Sequence, residues 1–306
     1  MIDILLASYN GERFISKQIE SVLKQSFSDW RLIIQDDCST DKTAEIAKKY
    51  ADQYPDKITL YRRETPSGSA RNNFFSMLPL AKSQYIMFAD QDDYWLEDKI
   101  KETYEKMRLL ERESPDAPLL VHTDLTVADE KLNVISQSMF SYQGLDKRAV
   151  TFNRLLAQNN VTGCTMMINR RLLDLVKYHD KALMHDWWLG LIASSMGKIG
   201  FVDKPLILYR QHGDNQLGAV DGHSAGRAVS AASDKSGSKK RVTLTYEQAA
   251  AFGEIYGGML SDKSRILVEK FSSIPQKNKA ARIYTILKYN FLKQSLITKI
   301  GQIILC

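Results

Sequence analysis

The chain has 306 residues, of which 44% are hydrophobic, so it is long enough for one large domain or for one domain with an appendage. Its three cysteines are far apart in sequence, which excludes a disulfide framework and favours a reducing compartment. The net charge of +6 is concentrated after residue 234, where 13 Lys and Arg face 4 Asp and Glu; the acidic remainder argues against a nucleic-acid partner.

Short apolar runs alternate with helical patterns through the first half of the chain. This alternation is typical of βαβ units, and it predicts an α/β fold with a mixed, mainly parallel sheet flanked by helices. Ligands of such sheets bind at the carboxyl ends of the strands. The predicted strands are Ile2–Ala7, Trp30–Gln35, Ile58–Arg62 and Tyr85–Ala89, and the predicted helices are Phe14–Lys24, Thr43–Gln53, Asn72–Ala81 and Leu96–Glu113.

The second half has a less regular pattern. Residues 216–241 are rich in Gly, Ala and Ser, which predicts a flexible loop, and residues 242–306 are predicted to be helical and basic. Residues 1–215 would then form the catalytic domain. The remaining predicted elements are strands at Leu119–His122, Cys164–Asn169 and Leu206–Arg210, and a helix at Trp187–Met196.

Polar clusters follow the predicted strands where a ligand site is expected. Asp90 and Asp92 alternate by one residue, so their carboxylates could converge on a hard cation such as Mg²⁺ or Mn²⁺. Taken singly, these acids could instead cap the helix that begins near Leu96. The repetition of such clusters after successive strands favours a binding site. The clusters are Ser8-Tyr9-Asn10, Asp36-Asp37-Cys38-Ser39 and Asp90-Gln91-Asp92-Asp93.

These clusters, in this order and spacing, resemble the motifs of the family 2 glycosyltransferases over residues 1 to about 215. The resemblance implies the A-type nucleotide-sugar fold and a nucleotide-diphosphate sugar as donor. It implies that Tyr9 stacks on the base and that Arg71 lies near the donor, although a packed Tyr9 and an exposed Arg71 at a helix start are the plain alternatives. It implies a donor-binding set of Ser8, Tyr9, Asn10, Asp36, Asp37, Arg71, Asp90, Gln91 and Arg210, with Asp36 or Asp37 at the base or ribose and Arg210 near the diphosphate.

The same resemblance supplies a metal set. Asp92 is the preferred direct ligand, and Asp93 could share that role because the motif alignment slips by one residue. His212, in the segment Tyr209–Gly213, is the implied third ligand for Mg²⁺ or Mn²⁺. A lone histidine after a strand could otherwise be structural.

The segment Met184-His185-Asp186-Trp187-Trp188 carries the implied base. The family holds an acid pair here, whose second member acts as the base; His185 replaces the first acid and Asp186 retains the second. Bulky aromatic neighbours exclude water, which raises a carboxyl pKa and suits it to general-base catalysis. Asp186 could otherwise cap the helix, and the tryptophans could belong to the core. The implied acceptor-side residues are Thr162, Gly163, His185, Trp187 and Trp188.

The implied reaction is a single displacement that inverts the anomeric carbon, and it requires the acids at 90–92 and at 186 to face a common cleft. The segment from His185 to Gly213 looks most like the rhamnosyltransferase branch of bacterial surface and cell-wall polysaccharide synthesis, with dTDP-β-L-rhamnose as donor. A UDP-hexose donor is the enzymatic alternative. An inactive sugar-nucleotide-binding scaffold is the alternative from another class. A nucleotidyltransferase is disfavoured because residues 8–13 lack a glycine-rich basic phosphate loop.

The basic tail favours a lipid-linked saccharide acceptor. Residues 271–306 hold six Lys and Arg and no acid, interleaved with apolar residues, which suits an anionic membrane surface. With neither a signal-peptide pattern nor an apolar stretch of membrane-spanning length, we expect a cytoplasmic protein that is peripheral on the inner face of the cell membrane. A basic helical hairpin that packs on the body, or that forms a homo-oligomer, remains the alternative.

Overall fold

The computed structural model describes residues 1–213 and 235–305. These residues form two compact units that interleave along the sequence. Unit 1 comprises Met1–Met139, Thr162–Leu175 and residues 200–213, and unit 2 comprises Phe140–Val161, Val176–Ile199 and residues 235–305. The segments 140–161 and 176–199, placed above in one catalytic domain over 1–215, therefore belong to unit 2. Most of the predicted loop 216–241 lies outside the described residues, but from Lys235 onward the chain is helical.

The sheet strands lie in an α/β arrangement of the predicted class. They are β1 Ile2–Ser8, β2 Trp30–Asp36, β3 Ile58–Arg62, β4 Tyr85–Asp90, β5 Tyr94–Trp95, β6 Leu119–Ala128, β7 Val134–Ser136, β8 Met167–Asn169 and β9 Lys198–Arg210. The helices are α1 Ile15–Leu23, α2 Thr43–Gln53, α3 Ala70–Met77, α4 Lys99–Glu113, α5 Met139–Gln143, α6 Phe152–Ala157, α7 Arg170–Leu175, α8 His185–Met196, α9 Lys235–Tyr256, α10 Asp262–Ser272, α11 Lys279–Lys288 and α12 Leu296–Leu305.

The strands form one mixed sheet in the order β3-β2-β1-β4-β8-β6-β9-β5, with β7 paired to β6. The neighbours β3, β2, β1 and β4 are mutually parallel, whereas the pairs formed by β8, β6, β7, β9 and β5 that have a defined register are antiparallel. β1 lies inside the parallel half and is buried along nearly its whole length, as expected for a strand that is covered on both faces. The fold class predicted from the sequence is confirmed, with its parallel part confined to the first half.

β6 and β9 are longer than the sequence pattern indicated. β6 was expected to end at His122, yet it continues to Ala128 with every residue buried. The extension contains Asp124, whose carboxylate accepts hydrogen bonds from the Ser138 hydroxyl and the Met139 amide. Because these partners satisfy a buried acid, the strand can hold polar residues that a hydrophobicity pattern does not attribute to a core strand.

Unit 2 has an aromatic core around α8 and α9. Trp188 on α8 is fully buried, and its ring centroid lies 5.4 Å from that of Phe252 and 6.1 Å from that of Tyr256, both on α9. The Trp188 indole N–H donates to the Lys177 carbonyl at 3.0 Å, so the one polar atom of this ring is satisfied. In residues 1–213 and 235–305, every helix is too short or too polar to cross a bilayer.

The final helix, α12, buries a polar residue and exposes apolar ones. Gln302 is buried, donates to the Phe291 carbonyl at 2.7 Å and accepts from the Lys293 amide at 2.9 Å. Ile300 and Ile304, one helical turn apart, are 51% and 63% exposed. The glutamine thus anchors α12 with Ile300 and Ile304 facing outward.

Candidate donor and metal site

The carboxyl ends of three neighbouring parallel strands meet at one edge of the unit 1 sheet. In the register of the sheet, Ala7 of β1 pairs with Asp90 of β4, and Ser8 pairs with Asp36 of β2. The loops that carry the three polar clusters therefore leave the sheet side by side. This is the edge at which open α/β sheets bind ligands.

Asp92 and His212, predicted as metal ligands from distant parts of the sequence, are brought into contact. The Asp92 Oδ2 atom lies 2.8 Å from His212 Nε2, and both side chains are largely shielded from solvent. The His212 ring also lies against Phe14, with 4.6 Å between the ring centroids. This contact fixes the histidine beside the carboxylate before any ligand arrives.

A second group of possible ligands lies deeper. Asp90, Asp93 and Cys164 offer ligand atoms that all lie within 4.8 Å of one another. Burial, and then the neighbouring Asp92 and Asp90 carboxylates, raises the pKa of the fully buried Asp93 well above its usual range. Burial likewise raises the pKa of the Cys164 thiol. A cation bound by Asp93 and Cys164 would have to displace their protons. The Asp90 and Asp92 carboxylates are therefore the more accessible ligands.

The possible metal ligands of this site fit Mg²⁺ or Mn²⁺. The carboxylates of Asp90 and Asp92 are hard oxygen ligands, and the His212 imidazole is a nitrogen ligand that Mn²⁺ accepts. Asp93 is fully buried, and its carboxyl accepts from the Arg210 amide at 3.3 Å and is hydrogen-bonded with the Cys164 side chain. Asp90 and Asp92 therefore supply the carboxylate oxygens that a cation would bind.

Tyr9 is projected into solvent rather than packed. Its side chain is 54% exposed at the end of β1, which disfavours the plain reading of a packed aromatic. The next residue, Asn10, has a positive φ of 45°, and its Oδ1 accepts from the Thr40 amide at 2.9 Å. The turn is therefore fixed by the neighbouring loop, and its aromatic ring is left available for stacking.

Asp36 and Asp37 are both buried at the end of β2. Asp36 Oδ2 accepts from the Ser39 amide at 3.1 Å, while its Oδ1 atom has no hydrogen-bond partner among residues 1–213 and 235–305. Asp37 accepts from the Ser67 amide at 2.7 Å and lies 3.2 Å from the Arg63 guanidinium. Asp37 thus supports the loop at 67, and Asp36, which is 0% exposed, supports the turn at Ser39.

Three predicted contact residues prove to be buried supports. Ser8 is 1% exposed, and its hydroxyl donates to the Gln35 carbonyl at 3.3 Å, so its side chain joins β1 to β2. Arg210 is 2% exposed and donates from Nε to the Asp92 carbonyl at 2.7 Å, so it holds the loop that carries Asp92. Trp188 lies in the unit 2 core and offers no face to an acceptor.

The other predicted residues keep local positions that permit their roles. Arg71, in the first turn of α3, is half-buried and donates to Asn72 Oδ1 at 3.0 Å. Thr162 and Gly163 enter a short 3₁₀ helix, Gly163–Thr165, which packs beside β4 in unit 1.

In unit 2, Asp186 lies in the first turn of α8 and is 8% exposed. Its Oδ1 accepts from the Trp187 amide at 2.6 Å. The indole of the half-buried Trp187 donates to the Leu155 carbonyl at 2.6 Å. His185 is buried, and burial lowers its pKa to about 3, so it is neutral at ordinary pH.

Sequence reasoning missed Phe14 and the part played by Cys164. Phe14 contacts His212 and also lies beneath the Arg210 guanidinium at 4.8 Å, but nothing in the sequence separates it from other core aromatics. Cys164 enters the sequence analysis only as the start of a predicted strand, yet it lies beside Asp90 and Asp93. Its place in the same short segment as Thr162 and Gly163 was the available signal.

The family model for glycosyl transferase family 2 matches residues 3–175. The dTDP-rhamnosyl transferase RfbG of Shigella flexneri is 29% identical over 226 residues, which span 70% of this chain and 74% of that relative. The UDP-Glc:alpha-D-GlcNAc-diphosphoundecaprenol beta-1,3-glucosyltransferase WfgD of Escherichia coli is 27% identical over 57% of this chain and 62% of its own length.

Among solved structures, the mannosyltransferase PcManGT from Pyrobaculum calidifontis, in complex with GDP-Man and Mn²⁺, has a similar fold. The TM-score is 0.56, the alignment covers 94% of this chain and 73% of that one, and the sequences are 13% identical.

Proposed function

The chain belongs to glycosyl transferase family 2, and from this premise we propose that it is an inverting, metal-dependent enzyme of bacterial polysaccharide synthesis. It transfers a sugar from a nucleotide-diphosphate donor to an acceptor hydroxyl. The observation that carries the proposal is the strand-end site of unit 1, where Asp92 and His212 lie 2.8 Å apart at the edge from which Tyr9 projects. That edge combines ligands for a cation with an aromatic face for a base.

The proposed reaction is a single displacement in which each site residue has its own role. Asp186 accepts the proton of the acceptor hydroxyl, and the oxygen then attacks the anomeric carbon from the face opposite the diphosphate, which inverts the configuration. Tyr9 stacks on the base, and Asp36 or Asp37, at the end of β2, contacts the base or ribose. Asp90, Asp92 and His212 would hold a divalent cation, which supplies charge neutralisation for the leaving diphosphate.

We propose dTDP-β-L-rhamnose as the donor, which inversion converts into an α-linked product. The support is the 29% identity to a dTDP-rhamnosyl transferase over 70% of this chain. A UDP-hexose is the second candidate, supported by the 27% identity to a UDP-glucose-dependent relative.

We propose a lipid-linked saccharide as the acceptor, reached from the inner face of the cell membrane. The name of the same glucosyltransferase relative contains a diphosphoundecaprenol acceptor. Residues 271–306 contain six basic residues and no acid, and α12 turns Ile300 and Ile304 outward. Basic side chains together with exposed isoleucines suit binding to an anionic lipid surface.

A donor panel tests the proposed function. Purified chain is incubated with dTDP-β-L-rhamnose, UDP-glucose or UDP-N-acetylglucosamine, and release of the nucleoside diphosphate is measured with Mn²⁺ or Mg²⁺, after chelation, and after metal is restored. We expect the fastest release from the rhamnosyl donor, loss of release on chelation, and recovery with metal. Binding of a nucleotide sugar without release or transfer would favour the inactive scaffold, and metal-independent turnover would contradict the metal assignment.

A further inference from the structure

We propose that Gln91 is a positioning residue that fixes Tyr9 relative to Asp92. The inference rests on the proposed function, in which Tyr9 stacks on the base and Asp92 binds the cation. The Gln91 side chain uses both ends of its amide on one neighbour: Oε1 accepts from the Tyr9 N–H at 2.8 Å, and Nε2 donates to the Tyr9 carbonyl at 2.8 Å. These bonds extend the contact between β1 and β4 beyond its last paired residues, Ala7 and Asp90.

Gly11 leaves the space that the Gln91 amide fills. A Cβ atom on Gly11 would lie 2.2 Å from Gln91 Oε1 and 2.3 Å from Gln91 Cδ, closer than such atoms approach in real structures. The φ angle of Gly11 is not positive, so an alanine there would not strain the backbone. Its Cβ would clash with the Gln91 side chain. The Gly11 amide donates to Thr43 Oγ1 at 2.7 Å, which holds the backbone against the glutamine.

The turn around Tyr9 is anchored on each side, so the direction of its ring follows the backbone. The Asn10 amide donates to the Ser39 hydroxyl at 3.0 Å, and the Gln91 amide holds both polar groups of the Tyr9 backbone. Gln91 directly precedes Asp92 in the chain. One side chain therefore couples the residue proposed to bind the base to the residue proposed to bind the cation, and it sets the span across which a nucleoside diphosphate must fit.

The test is a double-mutant cycle between Gly11 and Gln91, read out by titration of dTDP and UDP in the presence of Mn²⁺. Gln91→Ala should raise the Kd of the preferred nucleotide about tenfold, the size expected when hydrogen bonds that order a binding group are lost. Gly11→Ala should have a similar effect because it displaces the amide. In the Gln91→Ala background, Gly11→Ala should add almost nothing, since the space is empty.

Two controls keep the cycle informative. Gln53→Ala removes an exposed glutamine at the end of α2 and should leave the Kd unchanged. If Gly11→Ala folds poorly by thermal unfolding, the double variant should recover the stability of Gln91→Ala, which a general packing defect at Gly11 would not allow. With the substrate donor, the change should appear in KM and leave kcat within about twofold, because the catalytic groups are untouched.

The outcomes separate this inference from the proposed function. If the wild-type chain binds neither dTDP nor UDP, the proposed function fails and the inference fails with it. If the wild type binds nucleotide but the Kd of Gln91→Ala is unchanged, or if the two substitutions are additive, the inference alone is overturned.

Discussion

Lys99 is a fully buried cation at the start of α4. Its Nζ atom lies 4.0 Å from the centre of the Trp95 ring and has no hydrogen-bond partner in the described part of the chain. Burial lowers its pKa to about 7, although Cys164 and Asp93 act in the opposite direction. The site therefore disfavours the ammonium form. The folding stability that is lost by burying this charge depends on pH within a defined range.

Lys99→Met should raise the free energy of unfolding most at pH 6 and less as the pH approaches about 10. Below pH 7 both the folded and the unfolded wild type hold the proton, and the folded chain bears the cost of a buried ammonium. Between about 7 and 10.5 only the unfolded chain takes up the proton, so wild-type stability rises with pH and the advantage of methionine shrinks. Urea denaturation across this range measures the difference, with Lys101→Met on the exposed face of α4 as control. A pH-independent difference would contradict the assignment.

Asp186→Asn tests the base. The amide keeps the shape and still accepts a hydrogen bond from the Trp187 amide, but it cannot take a proton, so kcat should fall about 10²–10⁴-fold. The Kd of the nucleotide should stay within about twofold of the wild-type value. Single-turnover kinetics and nucleotide titration measure the two quantities, with the exposed Asp180→Asn as control. A near wild-type kcat would show that another group is the base.

At this scale, the sequence was most informative where a residue's environment follows from its own strand. Asp90 and Asp36 come at the ends of buried parallel strands, so their common edge could be predicted from periodicity alone. The burial of Arg210 and Trp188 could not, because it depends on Phe14 and on α9, residues that are distant in sequence. An arginine or a tryptophan in a motif looks the same in sequence whether it contacts a ligand or supports the residue that does.

Among the elements, the strands of the parallel half were predicted to within a residue or so of their observed ends. β1, β2, β3 and β4 are apolar runs bounded by polar clusters, so the sequence pattern alone indicates where each strand begins and ends. The antiparallel strands β6 and β9 were predicted too short, since each carries polar residues that pair with other segments: Asp124 of β6 with Ser138, and Lys204 of β9 with Glu102. The helical character of the C-terminal region was correctly anticipated, but the outward face of α12 depends on the Gln302 anchor and required the structure.

α12 should bind anionic vesicles through its exposed isoleucines. The double substitution Ile300→Ser and Ile304→Ser should reduce co-sedimentation with phosphatidylglycerol-containing vesicles at least about tenfold, because each buried isoleucine contributes about 1.5–3 kcal/mol. High salt should weaken the wild-type interaction, since the surrounding cations act through long-range charge.

Ile266→Ser on α10, which removes another exposed isoleucine, is the matched control. Unchanged vesicle binding in the double variant would rule out this face. A loss of self-association in sedimentation equilibrium, without any vesicle effect, would assign the face to a second copy of the chain.

For the whole molecule, ligand binding at the unit 1 site should appear as stability. Mn²⁺ with nucleotide at about 100 times Kd should stabilise the folded chain by about 2.7 kcal/mol, because ligand binds only the folded state. Asp92→Ala should abolish most of this gain while leaving the unliganded midpoint near that of the wild type. Thermal unfolding with and without Mn²⁺ and nucleotide measures both quantities, and Asp52→Ala, which removes an exposed acid on α2, is the control. A full thermal shift in Asp92→Ala would remove Asp92 from the metal site.

The interleaving of the two units is the whole-molecule property that sequence patterns did not reveal. Composition and charge indicated a boundary near residue 215, where the glycine- and serine-rich stretch begins. The compact units are defined instead by tertiary contacts that join segments far apart in the chain. No local sequence pattern marks residues 139, 161, 175 and 199, after which the chain passes from one unit to the other.

This arrangement limits how specificity could be transplanted between relatives. A chimera with one crossover point between residues 140 and 213 would divide both units between two parents, and each parental core would be left incomplete. Grafting unit 2 alone demands several junctions, after Met139, Val161, Leu175 and Ile199 and again ahead of the C-terminal helices. Changes of specificity in such a molecule are therefore better sought through point substitutions than by recombining blocks.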